Sequence, residues 1–303
     1  MHIKDFLKDL AHKCPFVPYR KPSKRRKSWN STREKKFLRT VNIIYKQNPS
    51  AYNAIKISVI MPAFNRASFI ANAISSIYHQ THENWELIVV DDGSTDNLHE
   101  VIGQYQHDKR IKLLNQPHVG VSKARNTGLD NANGKYIFFL DTDNSWHPPY
   151  LRTMITFMEA GELEACYAGA RIVNDHNQTM GFYGEAFNWR ECLELNYIDI
   201  NSFAHIKNPG NKQYRFDENL KRLVDWDYIL TITAQHRTAY APFIGISYYD
   251  GIKGNRVTFT QHTGDSIQPL INQIQNKHRE ATGKATIQKN NKGISWKTII
   301  ENH

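Results

Sequence analysis

The chain of 303 residues is long enough for one large domain or two modest ones, and its apolar fraction of 40% is that of a globular protein. Its apolar runs fall short of the ~20 residues that span a bilayer, and Asp5 and Asp9 argue against a secretory signal. Cys14, Cys166 and Cys192 are widely spaced and odd in number, which indicates reduced thiols in a cytoplasmic protein.

The net charge of +10 is concentrated near the N-terminus. The first 50 residues contain 14 Lys/Arg and 3 Asp/Glu, out of 39 and 29 in the whole chain. The rest of the chain therefore carries 25 basic and 26 acidic residues and is close to neutral. A nucleic-acid-binding protein would carry its basic residues on the folded surface, so we expect no nucleic acid partner.

Residues 1–55 are predicted to form a basic N-terminal extension. A short amphipathic helix is expected where apolar residues recur at helical spacing, at Ile3, Phe6, Leu7, Leu10 and Ala11. A basic stretch follows over residues 19–36. This combination either binds an anionic membrane surface through residues 1–40 or docks onto a partner or onto the protein's own fold.

Strand and helix patterns alternate from Lys56, where we place the start of the folded domain. Buried strands are predicted at residues 56–64, 85–90, 111–116 and 135–140, and helices at 67–80, 96–106 and after Gly120. Continuous apolar strands that alternate with helices are typical of an α/β fold with a doubly wound parallel sheet. Ligands of such sheets bind beyond the carboxyl ends of the strands.

The first two strands end in polar turns that could hold a nucleotide. In "PAFNR", residues 62–66, Phe64 could stack on a base, and Asn65 and Arg66 could meet the nucleotide, or the turn is simply structural. In "DDGSTD", residues 91–96, Gly93 suits a turn and Ser94 or Thr95 a helix cap. Two consecutive aspartates exceed what a turn needs, and one of them could accept from a base N–H or a ribose hydroxyl.

A basic helix start and an acidic strand end complete this edge. In "GVSKARNTG", residues 120–128, Lys123 and Arg125 lie near a helix start, where anions are favoured, and Arg125 is our candidate phosphate or nucleotide contact. The alternative is a solvated basic face. Asp141 and Asp143 of "DTDN" point to the same side of an extended backbone. Their oxygens suit Mg²⁺ or Mn²⁺, with a diphosphate completing the coordination shell of the metal. The alternative is that the two aspartates only cap a loop.

The segments "ISVIMPAFNR", "ELIVVDDGSTD", "GVSKARNTGL" and "GKYIFFLDTDN" at these separations closely resemble the family 2 glycosyltransferases over residues 56 to about 150, and more loosely to about residue 260. The resemblance implies the GT-A fold, a Rossmann-like, mostly parallel twisted sheet with flanking helices and a smaller acceptor-side subregion. It also implies metal-dependent, inverting transfer of a sugar, expected from a UDP donor, to a glycan or lipid-linked acceptor. The expected setting is bacterial surface polysaccharide synthesis, of capsule or lipopolysaccharide type.

The resemblance assigns roles to individual residues of the first half. Phe64 would stack on the nucleobase and Asp92 would bond it. Asp141 to Asp143 would be the DxD element, with Asp143 the more secure ligand of Mn²⁺ or Mg²⁺, although Asn144 replaces a further acidic residue of many relatives. The remaining residues expected around the nucleotide sugar are Pro62, Asn65, Arg66, Ser94, Arg125 and Thr142.

The segment "YRFDENLKRLVDWDYIL", residues 214–230, resembles the part of the family that holds the catalytic base. Asp225 would take the proton of the acceptor hydroxyl, with Asp227 as the competing candidate, and a single carboxylate on one face implies inversion. Asp225 could also cap the helix at residues 226–236. Trp226 would stack against the acceptor sugar or belong to the core. Val224 stands where the family usually has Glu, which supports the alternative of a catalytically inactive nucleotide-sugar-binding scaffold.

The predicted organisation is an extension over residues 1–55, a glycosyltransferase domain over 56–262 and a polar tail over 263–303. Within the domain, residues 56–150 form the nucleotide-sugar half and 151–262 the acceptor half. Arg256 and His262 could reach the diphosphate or the metal from a closing loop. We expect a cytoplasmic protein, either free or peripheral on the inner face of the plasma membrane.

Overall fold

The computed structural model describes residues 27–208, 213–250, 267–282 and 295–300. The predicted helix at residues 3–11 and the candidate residues Arg256 and His262 lie outside these ranges. None of the helices within them is long and apolar enough to cross a membrane.

A single mixed sheet forms the centre of the molecule. Within the described residues its strands are β1 (Ile57–Ala63), β2 (Trp85–Asp91), β3 (Ile111–Asn115), β4 (Tyr136–Phe139), β5 (Ser145–Trp146), β6 (Ala165–Val173), β7 (Thr179–Tyr183), β8 (Phe203–Ile206) and β9 (Thr238–Tyr249). Their order is β3-β2-β1-β4-β8-β6-β9-β5, with β7 paired to β6. Strands β1 to β4, β6 and β9 run in one direction, whereas β5, β7 and β8 are antiparallel to their neighbours.

Helices cover both faces of this sheet. They are α1 (Ser31–Gln47), α2 (Pro49–Ala54), α3 (Ala67–Tyr78), α4 (Leu98–Gly103), α5 (Val121–Asn131), α6 (Tyr150–Ala160), α7 (Trp189–Glu194), α8 (Val224–Thr233), α9 (Gln268–Thr282) and α10 (Trp296–Ile300). Apolar side chains of α1, α3, α4, α6 and α10 pack on one face, and those of α5, α7, α8 and α9 on the other.

The mostly parallel α/β fold predicted from the sequence is confirmed. Strands β1 and β2 are buried along almost their whole length, because helices cover both of their faces. Strands β1 to β4 and helices α3 to α5 lie within a few residues of their predicted bounds. The antiparallel β8, inserted between β4 and β6, was not predicted.

Helix α1 packs into the core, although it precedes Lys56, where we placed the start of the folded domain. Phe37 is fully buried and contacts Phe157 edge-on, with ring centroids 5.1 Å apart. The carboxylate of Glu34 accepts from the Ile244 N–H at 2.7 Å, where β9 carries two extra residues relative to β6. Residues 31–47 are therefore part of the packed unit, and the division of the chain into domains stays a prediction.

Candidate active site

The carboxyl ends of β1, β2 and β4 bring the sequence motifs to one edge of the sheet. Ala63 at the end of β1 is the register partner of Asp91 at the end of β2, and the Asp92 N–H donates to the Ala63 carbonyl at 2.8 Å. Pro62 lies in β1 opposite Val90. The structure thus places the two turns that follow these strands side by side.

Asp92 is a buried hydrogen-bond acceptor in this edge, with 3% of its surface exposed. Its Oδ1 accepts from the Gln116 side chain at 2.6 Å and the Val119 N–H at 3.1 Å. Its Oδ2 accepts from the Gly120 N–H at 2.9 Å and lies 2.8 Å from Nδ1 of His118. Asp92 therefore anchors the loop that leads into α5, a role that the sequence did not indicate.

Phe64 is an exposed aromatic ring at this edge. It is 39% exposed and stacks on the imidazole of His118, with centroids 3.9 Å apart and an angle of 15°. An exposed ring beside a buried carboxylate is suited to hold a flat heterocycle. His118 was not among the residues singled out from the sequence.

Asn65 and Ser94 join the two turns to each other. The Asn65 N–H donates to the Ser94 hydroxyl at 2.9 Å, and the Asn65 side chain accepts from the Thr95 N–H at 2.8 Å. Asn65 has a positive φ of 51°, which asparagine tolerates better than most residues. Arg66 precedes α3, with its guanidinium 5.8 Å from the Phe69 ring. These contacts make Asn65 and Ser94 part of the wall of the crevice.

Arg125 is buried and holds Asp141, and its role as a phosphate or nucleotide contact stays a prediction. Its side chain is 5% exposed, and its Nη2 donates to Asp141 Oδ1 at 2.9 Å. Gly128 allows α5 to carry Arg125 this close to the sheet, because a Cβ there would lie 2.4 Å from the Ile60 side chain.

Asn201 holds the same carboxylate from the other side. Its amide donates to Asp141 Oδ2 at 3.1 Å, and its Oδ1 accepts from the Asp141 N–H at 2.6 Å. Asp199 in turn accepts from the Asn201 amide at 2.8 Å. Sequence analysis missed Asn201, because nothing in its local pattern links it to a motif 60 residues earlier.

Of the two carboxylates in this motif, Asp143 is better placed than Asp141 to bind a metal. Thr142 is buried and Asp143 is half-buried, accepting from the Asn144 amide at 2.9 Å. Asn144 is held in turn by the Tyr249 N–H at 3.1 Å. No group of three or more His, Cys, Asp or Glu that could hold a metal occurs in the described part of the chain. Mg²⁺ is commonly held by one or two carboxylates plus substrate phosphates, and Asp143 fits that pattern.

Asp225 lies in the first turn of α8 and is half-buried. Its Oδ1 accepts from the following N–H, of Trp226, at 2.9 Å. The helix is preceded by Leu223 with φ of 64°, a left-handed conformation that is costly for a branched side chain. Asp225 does not cap the helix, which was the alternative to its role as a base, since Leu223 occupies the N-cap position without a side-chain cap.

Trp226 and Asp227 face the interior, which favours the alternative that Trp226 belongs to the core and weighs against a contact of Asp227 with the acceptor. Trp226 is 1% exposed and its indole donates to the Cys192 carbonyl at 2.7 Å. Asp227, also 1% exposed, pairs with Lys277 and His278 of α9, each at 2.9 Å. A carboxylate so enclosed cannot reach an acceptor hydroxyl, which leaves Asp225 as the candidate base.

Packed aromatic rings link α8 to Arg125, which together with Asn201 forms a clamp on Asp141. The Arg125 guanidinium lies 5.2 Å from the Phe216 ring, which stacks on Tyr228 with centroids 3.9 Å apart. Tyr228 lies almost one turn after Asp225 and donates to or accepts from His205 Nε2 at 2.9 Å. Burial lowers the pKa of His205 to about 4, so its imidazole is neutral near pH 7.

Comparisons with known proteins bear on the family and the fold of the chain. The model of the family "Glycosyl transferase family 2" matches residues 58–220, more than half of the chain. An uncharacterized glycosyltransferase of Rickettsia conorii is 38% identical over 146 residues, 48% of this chain and 24% of that protein. The Escherichia coli glucosyltransferase WfgD, named for UDP-Glc and α-D-GlcNAc-diphosphoundecaprenol, is 38% identical over 122 residues, 40% of this chain and 48% of WfgD. The matched stretches thus span less than half of either relative.

The fold matches solved structures of TarS from S. aureus. Residues 1–349 of TarS in complex with UDP-GlcNAc superpose with a TM-score of 0.58 at 20% identity, covering 68% of this chain and 61% of that one. At this level of identity the likeness concerns the fold, a mixed sheet with flanking helices.

Proposed function

Because the chain belongs to glycosyl transferase family 2, we propose that it transfers a sugar, with inversion, from a UDP-linked donor to a glycan or lipid-linked acceptor of a bacterial surface polysaccharide. The observation that carries the proposal is that the buried Arg125 and Asn201 hold Asp141, with the half-buried Asp143 two residues further on. The name of WfgD, with its UDP donor and its lipid diphosphate acceptor, supports the choice of substrates. The TarS complexes with UDP and UDP-GlcNAc support the choice of donor nucleotide.

The donor would lie across the carboxyl ends of β1, β2 and β4. Phe64 offers an open face for the nucleobase and Asp92 an acceptor for its N–H, within a wall built by Pro62, Asn65, Arg66 and Ser94. The ribose and diphosphate would lie along Asp141–Asp143. A bound Mn²⁺ or Mg²⁺ would supply positive charge to the departing diphosphate, with Asp143 as its main protein ligand.

Asp225 would act as the general base. The acceptor hydroxyl oxygen attacks the anomeric carbon as its proton passes to the Asp225 carboxylate. The bond from the anomeric carbon to the diphosphate oxygen breaks on the opposite side, so the configuration inverts. The strained backbone at Leu223 and the first turn of α8 would hold the carboxylate in place.

The second candidate function is a nucleotide-sugar-binding scaffold without turnover. It is favoured by one observation: Val224, which is buried, stands where the family usually has the Glu that precedes the base. Donor turnover distinguishes the two functions.

The test measures UDP release from a panel of UDP-sugars in the presence of Mn²⁺, with Asp143→Ala and Asp225→Asn beside the wild type. We expect slow release from one donor, loss of release in Asp143→Ala, and a fall of about 10²- to 10⁴-fold in Asp225→Asn with donor binding retained. Asp130→Ala is the control, because Asp130 is exposed and pairs with Arg215 and the Gln213 amide at the surface. Binding of UDP without any release, with or without a glycan acceptor, would identify the scaffold instead.

We further propose that the outward face of α1 lies on an anionic membrane surface. Lys36, Arg39, Ile43 and Lys46 recur at spacings of three and four residues and are exposed, Ile43 to 59%. The single acidic residue of the helix, Glu34, is turned toward Ile244. Each basic residue near such a surface contributes ~1 kcal/mol.

Charge reversal on this face tests membrane binding better than truncation, because removing residues 1–40 would also remove Phe37 from the core. Lys36→Glu/Arg39→Glu is expected to abolish sedimentation with phosphatidylglycerol vesicles while UDP release persists. The control Lys109→Glu/Lys221→Glu reverses two exposed charges elsewhere. Equal sedimentation of both variants would disprove this role for α1.

A further inference from the structure

His118 makes two contacts that a bound nucleobase would make. Its ring stacks on Phe64 at a centroid distance of 3.9 Å, and its Nδ1 lies 2.8 Å from Asp92 Oδ2. Phe64 and Asp92 are the residues to which the proposed function assigns the stacking and the hydrogen bonding of the base. An imidazole is itself a flat heterocycle with a ring N–H, so it can satisfy both groups.

The remaining contacts of Asp92 show which donor could be exchanged. The Val119 and Gly120 N–H groups belong to the backbone of the loop, and the Gln116 amide is tied to the Thr127 hydroxyl at 2.8 Å. His118 donates from a side chain that is 57% exposed. It is the donor to Asp92 that can leave by side-chain rotation alone.

The backbone around His118 does not need to move. Gly93, with φ of 78°, lies so close that a Cβ there would be 2.8 Å from the backbone nitrogen of His118. The loop is held at Asp92 by the two backbone donors, so only the imidazole has to swing away. The loop backbone can therefore stay in place while the His118 ring is displaced.

We propose that His118 occupies the nucleobase slot of the donor-free protein and is displaced when the donor nucleotide binds. This inference rests on the proposed function and adds an internal competitor to the same site. While the slot is empty, the imidazole stacks on Phe64 and pairs with Asp92, and the free-energy cost of displacing it lowers the apparent affinity for the nucleotide.

Calorimetric titration with UDP compares the wild type with His118→Ala. Removal of the competing ring is expected to tighten UDP binding about five- to tenfold, the effect of losing one aromatic contact and one hydrogen bond to Asp92. His99→Ala is the matched control. His99 pairs with the neighbouring Asp91 at 2.9 Å and is 54% exposed, so its removal should leave the affinity unchanged.

A nuclear magnetic resonance titration follows the ring directly. The His118 ring protons, shielded by Phe64 in the free protein, should shift downfield as UDP saturates the wild type, whereas those of His99 should not. Unchanged or weaker binding by His118→Ala, with an unmoved His118 signal, would overturn the inference while leaving the nucleotide site intact. Absence of UDP binding in both proteins would instead refute the proposed site, and the inference with it.

Discussion

At the residue scale, two hydrogen-bonded carboxylates at opposite edges of the sheet serve different ends, with the Glu86 side chain 3% exposed and that of Asp141 31% exposed. Glu86, at the amino edge, accepts from the Ser58 hydroxyl at 2.7 Å and from Lys112 at 2.9 Å. Asp141, at the carboxyl edge, is held by Arg125 and Asn201. Only Arg125 and Asn201 lie at the carboxyl edge, where ligands of such sheets bind. We therefore expect the first cluster to matter for stability and the second for donor binding.

Asn201→Ala should reduce UDP-sugar turnover by about 10- to 100-fold, because Asp141 loses both its amide donor and the acceptor of its N–H. Ser58→Ala is the matched control, since its hydroxyl also makes buried hydrogen bonds, to Glu86 and Gly134, at the opposite edge. Both variants should lose about 1–3 kcal/mol of unfolding free energy, measured in urea. Equal activity of the two variants would contradict a positioning role for Asn201.

Glu86 should make stability depend on pH in the acid range. Burial by itself would raise its pKa, but hydrogen bonds from Ser58, Lys112, the Asn133 N–H and Lys56 lower it to about 2. Because the pKa of Glu86 is lower in the folded than in the unfolded state, its ionisation stabilises the folded protein fully above the unfolded pKa of 4.5. This stabilisation is lost as the pH falls toward 2. The loss should reach about 2 kcal/mol by about pH 3, and Glu86→Gln should remove it. Urea unfolding of both proteins from about pH 6 to pH 3 measures the difference.

At the scale of elements, α1 shows how a narrow apolar stripe can be hidden in a basic sequence. Phe37, Val41 and Ile44 form its buried face, and three lysines and two arginines lie among the remaining residues. Net charge led us to interpret this stretch as an extension, whereas the stripe at spacings of four and three is typical of a packed helix. One helix thus joins the core on one side and offers a cationic face on the other.

Phe37→Ala should destabilise the protein by about 3–5 kcal/mol, because the ring is fully buried among Phe157, Phe243 and Trp296. Ile43→Ala, one residue before the buried Ile44, should change the unfolding free energy by less than about 0.5 kcal/mol, since Ile43 is 59% exposed. Denaturant unfolding of both variants decides the point. A small effect for Phe37→Ala would mean that α1 does not belong to the cooperative unit.

At the scale of the whole molecule, the C-terminal region contributes to the body that carries the candidate base. Helix α9 buries Ile274 against the same core as α8. Its His278 and Lys277 surround Asp227, which lies two residues after Asp225. We predicted residues 263–303 to be a polar tail, and the described part of that region includes these buried contacts. Docking of α9 therefore bears on the geometry of α8.

His278→Ala should cost about 3 kcal/mol of unfolding free energy, because it breaks a buried pair and leaves one Asp227 oxygen without this partner. Arg279→Ala removes a neighbouring pair with Glu194 in which both side chains are about half exposed, and it should cost less than about 1 kcal/mol. If the pair also positions α8, His278→Ala should lower UDP release more than UDP binding. Equal losses of stability in the two variants would refute the burial argument.

The first half of the site was more predictable than the second. Phe64, Asp92, Asp141 and Asp143 follow strands, and parallel strands carry whatever follows them to one edge. The roles of Arg125 and Trp226 depended on burial, which motif position does not reveal. Asn201 and His118 were missed for the same reason, because their partners lie far away in the chain.

Periodicity and strand-end motifs by themselves determined the α/β fold, the edge of the sheet at which the motifs meet and the resemblance to a family, since these depend on local pattern. The tertiary structure alone decided which polar groups were already satisfied. It turned Arg125 and Asp227 into internal partners, added Asn201 to the clamp on Asp141 and stacked His118 on Phe64. The physical reason is that a side chain's availability depends on its burial and on its hydrogen-bond partners, and those are contributed by distant segments of the chain.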